Sequence, residues 1–175
     1  WHPFQLDPTM RDEGMNRDTY LTRKFGNIER VQEMTDHLTS VGKTVGIDFD
    51  FGDNWLAVNT LQLHQLLHVA REEGFGTTLK ERFLKAYFEE ARHLNKKETL
   101  HEILHEFGWK SEKVNAIMAD QEIAAKVQSE ISHYQQRGVS GVPFFVFNNE
   151  FGVSGAQPSE VFLEALESLS ADEKV

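Results

Sequence analysis

One stretch of the chain spells a metal site: His101-Glu102-Ile103-Leu104-His105 matches H-E-x-x-H. On a helix the two histidines share a face and can hold a zinc ion, with the glutamate as general base toward a bound water. The helix that must present them argues against that use. Its apolar stripe is Leu100, Ile103, Leu104 and Phe107, so His101 and His105 fall on the flank of an ordinary amphipathic helix. Gly108 ends the segment within a turn, and no further histidine follows at a metalloprotease spacing. His64 and His68 repeat the i, i+4 pairing and are read the same way. Asp48, Asp50 and Asp53 beside Gly52 hint at a calcium loop, but their spacing and the missing terminal glutamate fail the EF-hand pattern. A solvated acidic loop is expected there. No metal site is expected in the chain, and serine-triad and phosphate-loop signatures are absent.

Pro143 is more informative. It opens the continuous apolar run Val142-Pro143-Phe144-Phe145-Val146-Phe147, which reads as a strand buried on both faces. Proline lacks an N–H and belongs at the first position of a strand or on an edge. Its place here fits either a trans proline that starts the strand or a cis Val142–Pro143 bond. The flanking Gly138 and Gly141 give the chain the freedom for the sharp approach that a cis bond needs, and the cis form is the reading preferred. Two further places have alternative uses. Ser154-Gly155-Ala156, before Pro158, is either a strand-to-helix turn or a corner whose N–H groups bind a carboxylate. Asn59 and Thr60 either cap a helix or line a cleft with His64, one turn on.

The elements around these residues are legible from periodicity and caps. An extended opening, Trp1-His2-Pro3-Phe4-Gln5-Leu6, reads like the tail of a strand, and Asp7-Pro8 and Gly14 mark a loop. Of two helices that follow, the second starts at Asn27 and runs through Ile28, Val31, Met34, Leu38 and Val41 to Gly42. Residues 45–51 fit a short extended piece or a loop equally well. Leu63, Leu66, Leu67 and Ala70 mark a helix ended by Gly74. Thr78 and Glu81 have capping-box spacing before Leu84, Tyr87, Phe88 and Ala91. Beyond the Leu100 stripe, Ser111 starts another segment, and Ile123, Val127, Ile131 and Tyr134 carry the pattern to Gly138. Short capped helices of this kind predict a packed helical subdomain. Asn148-Asn149 then turns the Phe-rich run back into Phe151-Gly152-Val153-Ser154, and Phe162, Ala165, Leu166 and Leu169 form the face of a last helix.

Composition narrows the function classes. The 175 residues carry a net charge of -10, which argues against nucleic acid and anionic membranes as partners. No apolar stretch approaches the ~20 residues a membrane-spanning helix needs. There is no cysteine, so these residues hold no disulfide, thiolate zinc site or cysteine nucleophile. A reducing, cytoplasmic location fits that absence. The opening at Trp1 rather than Met reads as a fragment whose start lies upstream.

The segment Gly138-Val139-Ser140-Gly141-Val142-Pro143-Phe144-Phe145-Val146-Phe147, followed by Val153-Ser154-Gly155-Ala156-Gln157-Pro158, resembles the signature of the DsbA-like thioredoxin family. Residues 1–8, Asn59-Thr60 with His64, and the final helix resemble its FrnE-type oxidoreductase branch, related to 2-hydroxychromene-2-carboxylate isomerase and kappa-class glutathione transferase. The resemblance implies an α/β thioredoxin-like fold with a helical insertion, lacking its first strand and active-site helix. Residues 1–13 and 138–175 would form the incomplete core and residues 14–137 the insertion. It implies thiol–disulfide oxidoreductase activity, with a Cys-x-x-Cys upstream of residue 1 and no catalytic residue in this chain. Gly141, Val142 and Pro143 would then dock an extended substrate, a cysteine-containing protein or a small thiol. Asn59, His64, Ser154, Gly155 and Ala156 would supply cleft or glutathione contacts. No cofactor is implied beyond glutathione as substrate or ligand, and a homodimer is left open. The alternatives are a glutathione-dependent isomerase or transferase, or a redox-dead peptide-binding module.

Overall fold

The computed structural model describes residues 1–52 and 55–172. It is mostly helical, with two small sheets. The chain divides into two compact units, one of Trp1 and Asp7–Gln128, the other of His2–Leu6 and Ser129–Val175. This division by compactness runs through a helix and does not test the expected boundaries at 13/14 and 137/138.

In the first unit, β1 (Met15–Asn16) pairs antiparallel with β2 (Leu56–Ala57), Met15 opposite Ala57. Gly14 makes this pairing close. Its φ is +77°, and a Cβ there would lie 2.7 Å from the Ala57 carbonyl oxygen. Helix α1 (Arg17–Phe25) starts on Asn16, whose side chain accepts from the Thr19 N–H. Helix α2 (Ile28–Thr44) starts on Asn27, which accepts from the Arg30 N–H at 2.8 Å. The α2 spacing was legible, but of the five apolar side chains named for it only Val31 is buried; Ile28, Met34, Leu38 and Val41 are half exposed. The reason is that α2 is covered on one side only, where Gly42 abuts the Phe49 ring and Thr35 accepts from Arg17. Residues 47–52 form a loop with no strand. Asp53 of the acidic cluster lies outside the described residues.

The main core of this unit gathers α3 (Leu61–Glu72), α4 (Gly76–Phe88), α5 (Lys97–His105) and α6 (Ser111–Ala119). Leu66, Leu79, Leu100, Ile103, Leu104 and Val114 are fully enclosed, each burial being worth about 1.5–3 kcal/mol of transfer free energy. Helix α4 begins two residues before the expected capping box at Thr78, with Phe75 in the cap position. Tertiary packing overrides the local signal: Gly76 lies against the Arg71 backbone, where a Cβ would come within 2.8 Å, and Phe75 N–H is already bonded to the Ala70 carbonyl. Helix α7 (Gln121–Gln136) is capped by Asp120, whose Oδ1 accepts from Glu122 and Ile123. A second cluster centres on Trp55, whose indole donates to the Tyr87 carbonyl, while the Tyr87 hydroxyl donates to the Leu56 carbonyl. Arg17 stacks over Phe51 at 4.7 Å from its centroid, which completes this aromatic layer.

The second unit contains β3 (Phe144–Phe147), β4 (Phe151–Ser154) and α8 (Ser159–Asp172). The strands pair antiparallel, Phe144 opposite Ser154 and Phe147 opposite Phe151. Asn148 and Asn149 turn the chain with φ of +50° and +59°, a conformation that asparagine tolerates. Phe145 and Phe147 lie on the covered face, where Phe162 packs on them at 4.8 and 6.5 Å between ring centroids. Phe144 and Val146 lie on the other face. There the Phe144 ring sits over Gly152, and Val146 is 46% exposed. The expectation of a strand buried on both faces is therefore corrected: none of its four residues is fully buried, because α8 covers one face. The opening residues 1–6, expected as the tail of a strand, form none. Among the described residues no strand offers them a ladder of hydrogen bonds, without which an extended segment is not part of a sheet.

The Gly14 contact predicts that Gly14→Ala destabilises the fold by about 2 kcal/mol or more, combining left-handed strain with a clash on Ala57. Gly74→Ala, at φ +88° with nothing within 4 Å of the added Cβ, should show the strain alone. Urea titration of both variants checks the ordering. Acid should also weaken the first unit. Hydrogen bonds from Lys113 and Trp109 hold the Glu73 carboxyl below its ordinary value, and those from Arg82 do the same for Glu106. Groups depressed on folding stabilise the fold above their unfolded pKa, near 4.5, and lose that contribution as pH falls through the folded one. The urea midpoint should fall across that acid range, and less steeply in the Glu73→Gln, Glu106→Gln double variant.

Candidate functional site

The docking residues proposed from sequence lie together at one corner of the second unit. Helix α7 is followed by a turn at Gly138, with φ +91°, and the next residues lead through Gly141 and Val142 into β3. The Val142–Pro143 peptide bond is cis. Val142 is 51% exposed, and nothing lies within 4 Å of the position a Cβ on Gly141 would occupy. The Pro143 carbonyl accepts the Gly155 N–H at 2.9 Å, which carries the β3–β4 ladder one step past Phe144 and Ser154. Gly155 takes φ +85°, so the turn there favours glycine. One edge of β3 is thus occupied by β4, and among the described strands nothing pairs with the other.

Ser154, Gly155 and Ala156 belong to this same corner, but their N–H groups are not all available to a ligand, since that of Gly155 is bonded to Pro143. Gln157 closes the turn by donating from Nε2 to the Ser154 carbonyl, and α8 starts directly after Pro158.

Asn59 and His64 lie in the first unit. Asn59 has a double structural role: its Oδ1 accepts from the Leu61 N–H at 2.9 Å, the first residue of α3, and its Nδ2 donates to the Met10 carbonyl at 2.8 Å. Thr60 holds the cap position without a side-chain cap bond. His64 is half buried on the first turn of α3. The H-E-x-x-H residues lie on α5 with other partners. His101 Nε2 meets Asn115 Oδ1 at 2.9 Å, and the Glu102 carboxylate is paired with Arg92. Among the described residues no group of three or more His, Cys, Asp or Glu could hold a metal ion, and no helix is long and apolar enough to cross a membrane.

Sequence reasoning missed a set of carboxamides in the first unit. Gln65 is 2% exposed, although it lies off the stripe read for α3. Gln62 and Gln65 at i, i+3, and Gln121 and Gln128 at i, i+7 around Ala124 and Ala125, are the signal that could have drawn attention to them.

Comparison with known proteins gives the family of the chain. The DSBA-like thioredoxin domain family matches residues 1–167. A probable DsbA oxidoreductase from Streptomyces coelicolor has a similar structure, with a TM-score of 0.85 and 36% identity, covering 94% of this chain and 72% of that one. A candidate protein disulfide isomerase from Nitrosomonas europaea shares the fold at a TM-score of 0.66 and 15% identity, over 82% of this chain and 75% of its own. No curated protein matches the chain. With a match over nearly its whole length, a likeness to thioredoxin-fold structures, and the proline-led hairpin in place, the chain belongs to the DSBA-like thioredoxin domain family.

Proposed function

We propose that this chain is the substrate-docking portion of a FrnE-type thiol–disulfide oxidoreductase. The β3–β4 hairpin and α8 serve as the closing part of a thioredoxin-like core, and α3 to α6 belong to its helical insertion. The observation that carries the reading is the exposed corner ahead of β3, where Gly141 and half-exposed Val142 present their backbone just before Pro143. An extended cysteine-containing segment can pair with the backbone groups of Val142 there through main-chain hydrogen bonds. Disulfide exchange needs a thiolate, and none of the 175 residues is cysteine. The redox pair would therefore be supplied by residues outside this chain.

A second reading, a peptide-binding module without redox chemistry, is favoured by that same lack of cysteine. The two share the docking step and differ in turnover.

Insulin reduction by the full-length protein separates them. The oxidoreductase reading expects turnover, and Val142→Asp should slow it about tenfold, the loss of about 1.4 kcal/mol in docking, with an unchanged thermal midpoint. Insulin binding with no turnover would leave the binding module standing. A Val142→Asp variant that works at the wild-type rate would remove the docking edge from both readings.

A further inference from the structure

Helix α2 carries two apolar faces with different fates. Val31 and Gly42 face the body of the first unit and are buried, Gly42 against the Phe49 ring. Met34, Leu38, Val41 and the cap residue Val45 lie on the neighbouring face. The first three are 44–45% exposed and Val45 is 68% exposed. Their spacing of 4, 3 and 4 residues is that of alternating a and d positions in a heptad. A helix that covers a globular core has a broader apolar stripe, whereas a narrow a/d row is the seam between two packed helices. The core contact of α2 is already made by Val31, so the row is left for another helix.

The row is also a palindrome. In an antiparallel crossing of two copies of α2, Met34 of each meets Val45 of the other, and Leu38 meets Val41. All four positions are then used on both sides, the self-complementarity that an interface with two-fold symmetry requires. Charge favours the same direction. The N-terminal half of α2 carries Glu29, Arg30, Glu33 and Asp36, while Lys43 is the one full charge of its C-terminal half. Antiparallel crossing lays the acidic half of each helix along the basic half of the other and opposes the two helix dipoles. The row exposes an apolar patch on the order of 400 Å², within the range that on single chains is often functional. Two such patches with their polar flanks bury about 1,000 Å², the lower bound for a specific interface.

We propose that the exposed row of α2 is a homodimer interface, in which two chains meet antiparallel about an axis passing between Thr39 and Ser40. It involves no residue of the docking corner, so the two readings stand or fall separately.

Sedimentation velocity of the chain from about 10 μM to 1 mM should show a reversible monomer–dimer equilibrium. Leu38→Glu, at an exposed position where glutamate is a good helix former, should keep the circular dichroism spectrum and weaken association at least about tenfold by placing a charge in the seam. A second measurement uses the absence of cysteine from the chain. Val41→Cys, near the axis, should form a disulfide-linked dimer under mild oxidation about tenfold faster than Asp36→Cys on the opposite face of α2, because the bond needs close Cβ atoms. A monomer at 1 mM, undiminished association of Leu38→Glu, or equal cross-linking at both positions would each overturn the proposal. So would a monomeric full-length protein whose thermal midpoint falls with Leu38→Glu, which would make the row an internal contact.

Discussion

A strand has hydrogen-bonding groups along both edges, and β4 can satisfy only one edge of β3. In the thioredoxin-like core proposed above, the other edge belongs to the first strand, which residues outside this chain would supply. The ladder runs from Phe147 and Phe151 back to Phe144 and Ser154 and ends on the Gly155 N–H bonded to the Pro143 carbonyl. Ahead of this edge, Val142 is exposed where the chain turns into β3. Helix α8 stiffens this edge from behind: Phe162 fills the space under Phe145 and Phe147, and Ala165 and Val153 are buried on the same side. A docking corner at the head of β3, as proposed above, needs such a rigid back, because an extended peptide gains little from pairing with backbone that bends away.

The helical unit is built on different physics. Its core is apolar and continuous across α3 to α6, while its surface is joined by charge pairs of modest worth: Arg82 with Glu90 and Glu106, Lys113 with Glu73, Arg92 with Glu102. Pairs this exposed contribute little individually. Trp109 differs, since its indole donates to Glu73 while the Lys113 ammonium lies 4.2 Å from its ring centroid. One carboxylate thus joins α3 to α6 and to the turn before it.

Much of this was legible because its causes are local. Asn27 accepts a bond from the N–H three residues on, and Gly74, Gly108 and Gly138 follow helices with φ between 78° and 91°. Asn148-Asn149 announced the hairpin for the same reason. What escaped was set by distant neighbours. The start of α4 depends on Gly76 meeting the Arg71 backbone. The two-residue pairing of β1 and β2 is too short to have a period. A run of four apolar residues cannot say which face a helix will cover, so the burial of β3 was overstated. The corner formed by residues 138–143 could be read from one contiguous motif. The carboxamides Gln62, Gln65, Gln121 and Gln128 could not, because they come from segments far apart in sequence and only the buried Gln65 breaks a pattern.

The bond between Gly155 and Pro143 has a further consequence. It fastens the approach to β3 and the bend that launches α8 to one another, so neither can be remodelled alone. A residue inserted after Ser154 would displace the nitrogen that holds Pro143, and the edge would be lost although no residue of it had changed. Drift in the short 155–158 connection should therefore be restrained as tightly as drift at Val142 itself, and a graft of this hairpin onto another scaffold would have to take the first turn of α8 with it.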